Sequence, residues 1–305
     1  MNNFSWRRNE LKEIITDFTM AKTNEERNLA IEKYDDSKHT NAVNRSFPNP
    51  LYKYIRFDEN NYWEKYFEGE LFLQQPEYWN DLSDSLCTYT EASEYSEHDE
   101  LIRTAFRRNQ YATCFSETYT NMPMWYHYSD KYTGMVIAYD FTDLRIPQNL
   151  FPIVYDDYIK INVDTLKLYI NDNYIKCPPF PMLVKSKQWE YEQEWRLLGG
   201  REIRNGIEGP VSLLWEYEQE WRLLGGREIR NGIEGPVSLL NESKSAIKAV
   251  YFGINTNISD IQLVLSLIDK NFTTLSIPKL YKMSMNNTKN ELEAHELNKD
   301  IFSTV

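Results

Sequence analysis

Residues 189–214 read WEYEQEWRLLGGREIRNGIEGPVSLL, which is the pattern of a β-hairpin. The segment WEYEQEWRLL predicts one strand, Gly-Gly or Asn-Gly predicts the turn region, and GPVSLL predicts the returning strand. Because side chains alternate between the two faces of a strand, one face of the first strand is predicted to be charged. That face carries Glu190, Glu192, Glu194 and Arg196.

These charges allow two interpretations. Carboxylates on one face repel each other and raise one another's pKa values unless Arg196, another cation or a ligand neutralises them. A site primed for acid or base chemistry is built in this way, with Glu192 and Glu194 as candidate catalytic residues and Arg196 as a candidate ligand-binding residue. A solvated edge strand is the alternative interpretation.

The same segment recurs without one difference at residues 215–240. Structural repeats diverge and come in three or more copies, so we interpret the pair as a recent tandem duplication or an assembly event. We expect only one copy to fit the sheet, and we expect it to be the first, which keeps its upstream neighbour LVKSKQ. The second copy carries the equivalents Glu218, Glu220 and Arg222.

The composition excludes some classes of function. Of the 305 residues, 41% are hydrophobic and 26% charged, as in a folded globular chain, and 14% are aromatic, which favours a fold with a ligand cleft. A net charge of -12 argues against extended nucleic-acid binding but leaves a small-molecule or nucleotide ligand open.

The cysteines and the N-terminus predict a cytoplasmic protein. Three cysteines, without paired metal-ligand spacing, fit a reducing compartment, and no metal is expected from them. The N-terminus has no apolar signal core, and no stretch has the roughly 18 apolar residues of a membrane span.

The chain is predicted to be α+β, with a central mixed or antiparallel sheet flanked by helices and a short helical N-terminal cap. Residues 1–50 are expected to form a helical extension, with a break near Thr23–Asn24, and a polar linker over residues 36–50. Residues 51–285 are expected to form a single domain that contains the duplication, followed by a polar tail at 286–305. The run GMVIAYDF at 134–141 predicts a central strand.

A helix through MWYHYSDKY places Met124, His127 and Tyr128 on one face. Such a face is usually a packing surface, and a lone histidine in it is more often structural than catalytic. His127 is nevertheless a candidate catalytic residue because it is the histidine inside this aromatic segment, and Trp125 is a candidate ligand-binding residue.

In the CFSE segment, Ser116 and Glu117 follow a predicted strand, so both are candidate ligand-binding residues. The segment lacks the G-x-S-x-G pattern of a nucleophilic serine, which favours a serine that bonds a ligand or caps a helix. The sequence also lacks P-loop, G-x-G-x-x-G and H-E-x-x-H motifs, which argues against P-loop hydrolases, Rossmann dehydrogenases and zincin peptidases.

Six separated motifs resemble, in order, a bacterial family catalogued as domain of unknown function 2971. They span about residues 51 to 255 and are LYKYI, WND, CFSE, MWYHY running into GMVIAYD, VYDDY and WEYEQEWR. The chain departs from the family's pattern at Leu82, where proline is usual, and at Tyr132, where histidine often stands.

The order of a tyrosine-rich strand, a strand ending in serine and a Glu-x-Glu strand also resembles the three-part site of ADP-ribosyltransferases. The resemblance implies that Tyr52 and Tyr54 contact nicotinamide or ribose, and that Ser116 supports the ribose. It implies that Glu194 is the catalytic carboxylate, with Glu192 beside it.

We therefore expect an intracellular enzyme that consumes NAD or transfers ADP-ribose, of the kind found among toxins and phage-defence effectors. NAD is then a substrate, and no tightly bound cofactor is expected. A metal-dependent nuclease or hydrolase using Asp81, His127 and the glutamate pair is one alternative. A non-catalytic ligand-binding or sensor module is the other.

Overall fold

The structure is a computed structural model of the 305-residue chain. It describes residues 4–59, 61–76, 79, 81, 84–85, 97–108, 110–142, 149–171, 174–175, 178–204, 207–211, 229–230, 233–234, 242–274 and 276–298.

The described residues form both helices and strands. The helices are α1 (Ser5–Met20), α2 (Asn24–Asn44), α3 (Glu64–Phe67), α4 (Glu97–Arg108), α5 (Met122–Tyr128), α6 (Val163–Lys167), α7 (Glu242–Ala246) and α8 (Ile258–Asn271), with 3₁₀ helices at Phe180–Leu183 and Lys187–Glu192. The strands are β1 (Leu51–Ile55), β2 (Gln110–Ser116), β3 (Met135–Tyr139), β4 (Leu150–Pro152), β5 (Val154–Tyr155), β6 (Ile170–Asn171), β7 (Tyr174–Ile175), β8 (Val184–Lys185), β9 (Glu194–Arg204), β10 (Ile207–Val211), β11 (Ile229–Arg230), β12 (Ile233–Glu234), β13 (Ile247–Phe252), β14 (Lys279–Asn286) and β15 (Glu291–Glu296).

The chain divides into two compact units. Unit 1 contains Met1–Phe47, Leu73–Thr113 and Arg145–Gly235, and unit 2 contains Pro48–Phe72, Cys114–Leu144 and Pro236–Val305. None of the helices within the described ranges combines the length and the apolar character that a membrane span requires.

Unit 2 is built on a mixed sheet. In it β1 pairs antiparallel with β3, β3 antiparallel with β13, β13 parallel with β14, and β14 antiparallel with β15. Every residue of β3 is buried, as the apolar run MVIAY predicts for a central strand. Gly134 precedes it because a Cβ there would lie 2.2 Å from the carbonyl oxygen of Ile55. The mixed sheet and the helices confirm the predicted α+β class.

Unit 1 packs the N-terminal helices against short strands. Helix α1 buries one face, made by Leu11, Ile14, Ile15 and Phe18 at helical spacing. The ring of Phe18 meets that of Phe180 at 4.9 Å, and Tyr34 of α2 stacks on Phe151 of β4 at 5.0 Å. The helical N-terminus and its break near Thr23–Asn24 are therefore confirmed.

The polar segment 36–50 differs from its prediction as a linker, because α2 continues through Asn44. Ser37 is buried in this segment and accepts a hydrogen bond from Arg7 Nη1 of α1 at 3.0 Å. Packing of α2 on α1 thus stabilises helix where the local sequence has no apolar period, which is how most helices in proteins gain their stability.

The predicted polar tail also contains a strand. Strand β15 pairs along its whole length with β14, from Glu291 opposite Asn286 to Glu296 opposite Tyr281. Leu292 is its buried residue. Backbone pairing and this one apolar side chain suffice for a strand that the polar composition does not reveal.

The first copy of the duplicated segment supplies the hairpin of unit 1. Strand β9 pairs antiparallel with β10 and with β4, and it also neighbours β2. In the second copy, the described strands β11 and β12 pair with each other. This agrees with the expectation that the first copy takes the position in the sheet.

A chain without residues 215–240 is expected to keep the structure of unit 1, because the first copy supplies β9 and β10. Shortening the loop between them and α7 changes the closure free energy by on the order of 1 kcal/mol. Thermal unfolding followed by circular dichroism should therefore give a Tm within about 4 °C of that of the full chain. A larger fall, or loss of β signal, would contradict the placement of the first copy.

Candidate functional site

A 3₁₀ helix replaces the first half of the predicted WEYEQEWR strand. The helix ends at Glu192, Gln193 adopts a left-handed conformation with φ 47°, and β9 begins at Glu194. The prediction of extended chain is therefore wrong for residues 189–193 and right from Glu194 onward. The predicted shared face is also wrong, since Glu190 is exposed while Glu192 is buried.

Glu192 and Glu194 nevertheless meet, at the ammonium group of Lys185. Lys185 Nζ donates to Glu192 Oε2 at 2.6 Å and to Glu194 Oε2 at 3.2 Å. All three side chains are buried, with 6% or less of each residue exposed. The structure thus brings together the two predicted catalytic carboxylates through a cation that the sequence analysis did not single out.

Arg196 connects this pair to a third buried carboxylate, that of Asp84. Its Nε donates to Glu194 Oε1 at 2.6 Å, and its Nη1 and Nη2 form a fork on the two oxygens of Asp84. Nη1 also donates to the carbonyl oxygen of Met182 at 2.6 Å. Such bidentate contacts are strong and directional, so they fix where the Glu194 carboxylate lies.

We call Asp84, Lys185, Glu192, Glu194 and Arg196 the charged cluster. All five residues are buried, and they comprise three carboxylates and two cations. Burial by itself would lower the pKa of Lys185, but Glu194, Glu192 and Asp84 outweigh burial and raise it. Lys185 therefore stays protonated at neutral pH.

Strands β5 and β8 stabilise the turn formed by residues 192–194, which we call the glutamate turn. They are parallel, and Tyr155 lies opposite Lys185. The hydroxyl oxygen of Tyr155 accepts from the backbone N–H of Glu194 at 2.7 Å, and the carbonyl oxygen of Glu194 accepts from the N–H of Ile153 at 2.9 Å. Burial, followed by the nearby charge of Glu194, raises the pKa of Tyr155, so this hydroxyl stays neutral.

Two partly exposed tryptophans border the charged cluster. Lys185 Nζ lies 4.9 Å from the ring centroid of Trp189, and the guanidinium carbon of Arg196 lies 4.3 Å from that of Trp79. Aromatic faces attract cations, so both rings stabilise the positive charges that hold the carboxylates. Trp79 belongs to the WND motif.

Gln193 carries the backbone strain of the site, since its left-handed φ costs a residue with a Cβ about 1–2 kcal/mol. Gln193→Gly is therefore expected to raise the free energy of unfolding by up to about 1 kcal/mol, and Gln193→Val to lower it by about 1–2 kcal/mol. Urea denaturation measures both. Gln188→Gly, at an exposed position in the same 3₁₀ helix, is the control and should lower stability; the same sign at both sites would refute the role given to φ.

Unit 2 contains the other predicted ligand-binding residues. Tyr52 of β1 lies opposite Ser116, the last residue of β2. Ser116 is buried, and its Oγ accepts from the N–H of Thr118 at 3.3 Å, so it closes a turn at the end of its strand. Glu117 follows it and is partly exposed.

Tyr52 belongs to a group of tyrosines that the sequence analysis did not connect. The ring of Tyr119 stacks on that of Tyr251 at 4.3 Å, and Tyr251 stacks on Tyr281 at 4.8 Å. Tyr52 packs on Tyr119 at 5.2 Å. Burial, with the neighbouring Tyr119, raises the pKa of Tyr52 to about 12. The hydroxyl of Tyr52 therefore stays neutral and can act as a hydrogen-bond donor or acceptor.

Trp125 and Tyr54 stabilise the loop that carries Tyr119. Trp125 is fully buried, its Nε1 donates to the carbonyl oxygen of Tyr119 at 2.6 Å, and its ring meets that of Tyr54 edge-on at 5.5 Å. The hydroxyl of Tyr54 donates to the carbonyl oxygen of Thr118 at 2.9 Å. The two predicted ligand residues therefore act on the backbone beside Tyr119.

His127 lies on α5 but not on a packing face. It is exposed, and its ring meets the edge of the Tyr126 ring at 5.4 Å, whereas Met124 is buried. The predicted common face of Met124, His127 and Tyr128 is therefore wrong as a packing surface. The rotation of α5 is set by Trp125 and Met124, which face the core.

The predicted residues thus form two groups. Glu192, Glu194 and Arg196 belong to unit 1, and Tyr52, Tyr54, Ser116, Glu117, Trp125 and His127 belong to unit 2. The second-copy equivalents Glu218, Glu220 and Arg222 lie outside the described residues. Within the ranges that the structure describes, no group of three or more His, Cys, Asp or Glu side chains is arranged to hold a metal ion.

Sequence analysis missed Lys185, Asp84 and Tyr155. Lys185 interrupts the apolar run of PMLVKSKQW, and a charge at that position is the one local signal that could have pointed to it. Asp84 closes the WNDLSD segment, and Tyr155 lies in the VYDDY motif. Nothing in the spacing of these residues along the chain indicates that they meet.

No curated protein and no solved structure matches the chain. A family model matches residues 124–197, a span that contains Trp125, His127, Tyr155, Lys185, Glu192, Glu194 and Arg196. Over residues 124–197 the chain therefore matches the family described as "Protein of unknown function (DUF2971)", which supports, for this span, the resemblance predicted over residues 51 to 255.

Proposed function

We propose that the chain is an enzyme that breaks the bond between nicotinamide and ribose in NAD, and that the charged cluster of unit 1 is its active site. The ADP-ribosyl group then passes to water or to an acceptor. The observation that carries the proposal is that two buried carboxylates, those of Glu192 and Glu194, meet at one ammonium group. Carboxylates held at one point favour a partner with positive charge.

The reaction develops that kind of charge. When the C1′–N bond breaks, its electron pair leaves with nicotinamide, and the ribose becomes an oxocarbenium-like cation. A carboxylate held near C1′ stabilises this cation, and water or an acceptor nucleophile then forms the new bond to C1′ and loses a proton. Fixed groups that face developing charge commonly supply the largest part of a rate enhancement.

The contacts of the two glutamates support different roles for them. Glu194 is bound by both Arg196 and Lys185 and has its backbone fixed by Tyr155, so its carboxylate has a defined position. Glu192 ends a 3₁₀ helix just before the left-handed Gln193. We assign Glu194 the stabilisation of the oxocarbenium-like cation, with the carboxylate of Glu192 beside it. The roles that the resemblance implies for Tyr52, Tyr54 and Ser116 stay predictions.

The test is nicotinamide release from NAD by the purified full chain, measured by chromatography. Because the second copy repeats the segment, the substitution is made in both copies, as Glu194→Gln with Glu220→Gln. It keeps the shape of the side chain and removes its charge, and it is expected to lower turnover by about 100-fold or more. The exposed pair Glu190→Gln with Glu216→Gln is the matched control and should leave turnover unchanged.

Two results would end the proposal. One is a folded wild-type chain that releases no nicotinamide and labels no component of a cell extract with ADP-ribose. The other is turnover that responds equally to the Glu194 and Glu190 substitutions. Turnover that disappears with a chelator and returns with magnesium or manganese would favour the metal-dependent hydrolase instead.

A second candidate function is a non-catalytic ligand-binding module, which the tyrosine group of unit 2 favours. The rings of Tyr119 and Tyr281 are partly exposed and stack on the buried ring of Tyr251, which suits a planar ligand that also forms hydrogen bonds. Titration of NAD, ADP-ribose and nicotinamide against intrinsic fluorescence tests it. Saturable binding that Tyr52→Ala weakens, without turnover, would support this candidate over the enzyme.

A further inference from the structure

Lys185 differs from Glu192, Glu194 and Arg196 in its position along the chain. It lies upstream of both copies of the duplicated segment, so the chain contains it once, whereas Glu192, Glu194 and Arg196 each have a sequence-identical counterpart. In the fold it lies on β8, at the register position opposite Tyr155. The short β5–β8 pair therefore presents two side chains to the same turn.

Those two side chains hold the turn in complementary ways. Tyr155 binds the backbone N–H of Glu194, whereas Lys185 binds the carboxylates of Glu192 and Glu194. The backbone contact fixes where the chain turns, and the ammonium group fixes where the two side chains point. Removing the ammonium would leave two like charges close together without the group that binds both of them.

We infer that Lys185 is a positioning residue of the candidate site, which draws the carboxylates of Glu192 and Glu194 to one point and keeps both ionised. Its importance for turnover rests on the proposed function, but its effect on the two carboxylates does not. Lys185 touches neither substrate nor reacting atoms in this assignment, because it acts through the glutamates.

Loss of Lys185 is expected to change how the stability of the chain depends on pH. Two carboxylates within reach of one ammonium group can both ionise, whereas two neighbouring buried carboxylates without it share a proton. The pair then titrates as a unit, with one proton held to higher pH than in the unfolded chain. The groups around Lys185 that take part in this balance include Glu192, Glu194, Asp84, Arg196, Tyr155, Tyr191 and the ring of Trp189, together with Arg8 of α1, whose charge acts on Tyr155.

The test is the dependence of Tm on pH for Lys185→Met in the full chain. A carboxyl whose pKa is raised in the folded state gives stability below the unfolded pKa of about 4.3 and loses it as pH rises through the folded pKa. The Tm of K185M is therefore expected to fall, relative to wild type, between pH 5 and pH 8. The expected fall in Tm is about 2–4 °C for each pKa unit by which the pair's shared proton is held more tightly in the folded state.

Three further variants separate charge from packing. K185R keeps the positive charge and should keep the pH profile of the wild type, although it loses some Tm because the fork of arginine differs in shape. K187M removes a lysine charge from an exposed position of the adjacent 3₁₀ helix and should leave the profile unchanged. In K185M/E192Q the second carboxylate charge is absent, so Tm should recover relative to K185M.

The outcomes are distinct. A uniform loss of Tm in K185M with the wild-type pH profile, or no recovery in K185M/E192Q, would overturn the inference, as would failure of both variants to fold. Absence of NAD turnover in the wild type would remove the proposed function and leave the stability test standing. If NAD is consumed, K185M should shift the acid limb of the pH–rate profile upward; an unshifted limb would overturn the role of Lys185 alone.

Discussion

Replacing Arg196 by methionine, together with its counterpart Arg222, is expected to lower the free energy of unfolding by about 3–5 kcal/mol. Arg196 is 1% exposed and binds Glu194, Asp84 and the carbonyl oxygen of Met182. The aliphatic chain of methionine fills much of the space but removes the cation that binds the buried carboxylates of Glu194 and Asp84. Burying an uncompensated charge costs more than the lost attraction.

Urea denaturation of the full chain measures the loss. Arg196→Lys with Arg222→Lys keeps the charge but not the fork, and it is expected to lose about 1.5–3 kcal/mol, because the bidentate contact with Asp84 needs two N–H groups in one plane. Arg56→Met, at an exposed position, is the control and should change stability by about 0.5 kcal/mol or less. Equal losses for Arg196 and Arg56 would contradict the buried cluster.

The substitution with the second large expected effect is Trp125→Ala. It is expected to lower the free energy of unfolding of unit 2 by about 3–5 kcal/mol. Trp125 is fully buried, and truncation removes both its ring and the hydrogen bond from Nε1 to Tyr119. The cavity borders Tyr54, whose ring meets Trp125 edge-on. The substitution should therefore also loosen the loop that holds Tyr119 against Tyr251, and with it the tyrosine group of the second candidate function.

Two variants divide this effect into its parts. Trp125→Phe keeps a ring and loses the hydrogen bond, so it should recover more than half of the loss. Tyr126→Ala changes the next residue of the same helix, which is 48% exposed, and should cost about 1 kcal/mol or less. The measurement is calorimetry of each variant; a Tyr126→Ala loss as large as that of Trp125→Ala would refute the assigned orientation of α5.

Some parts of the fold were predictable because their local pattern and their tertiary role agree. The run GMVIAYDF is a buried central strand because it is apolar at every position from Met135 to Tyr139, so no choice of face was needed. The hairpin of the first copy also follows from its turn residues and flanking apolar positions, and β9 pairs with β10 as expected. In both cases the structure that the local sequence favours is also the one that tertiary packing stabilises.

Other parts failed where packing opposed the local pattern. The segment WEYEQEWR alternates like a strand, yet Gln193 interrupts it in a left-handed conformation. The ion pairs of Glu192 and Glu194 with Lys185 outweigh the preference for continuous extension. Residues 36–44 lack an apolar period, yet they are helical because Ser37 and Arg7 meet between two helices.

The sequence by itself determined the fold class and the glutamate pair as the candidate chemical group, because these depend on local period and residue type. Only the tertiary structure decided that Lys185, Asp84 and Tyr155 complete the site. These residues are separated from the glutamates along the chain, and a buried carboxylate selects its partners by charge and distance in space rather than by spacing in sequence.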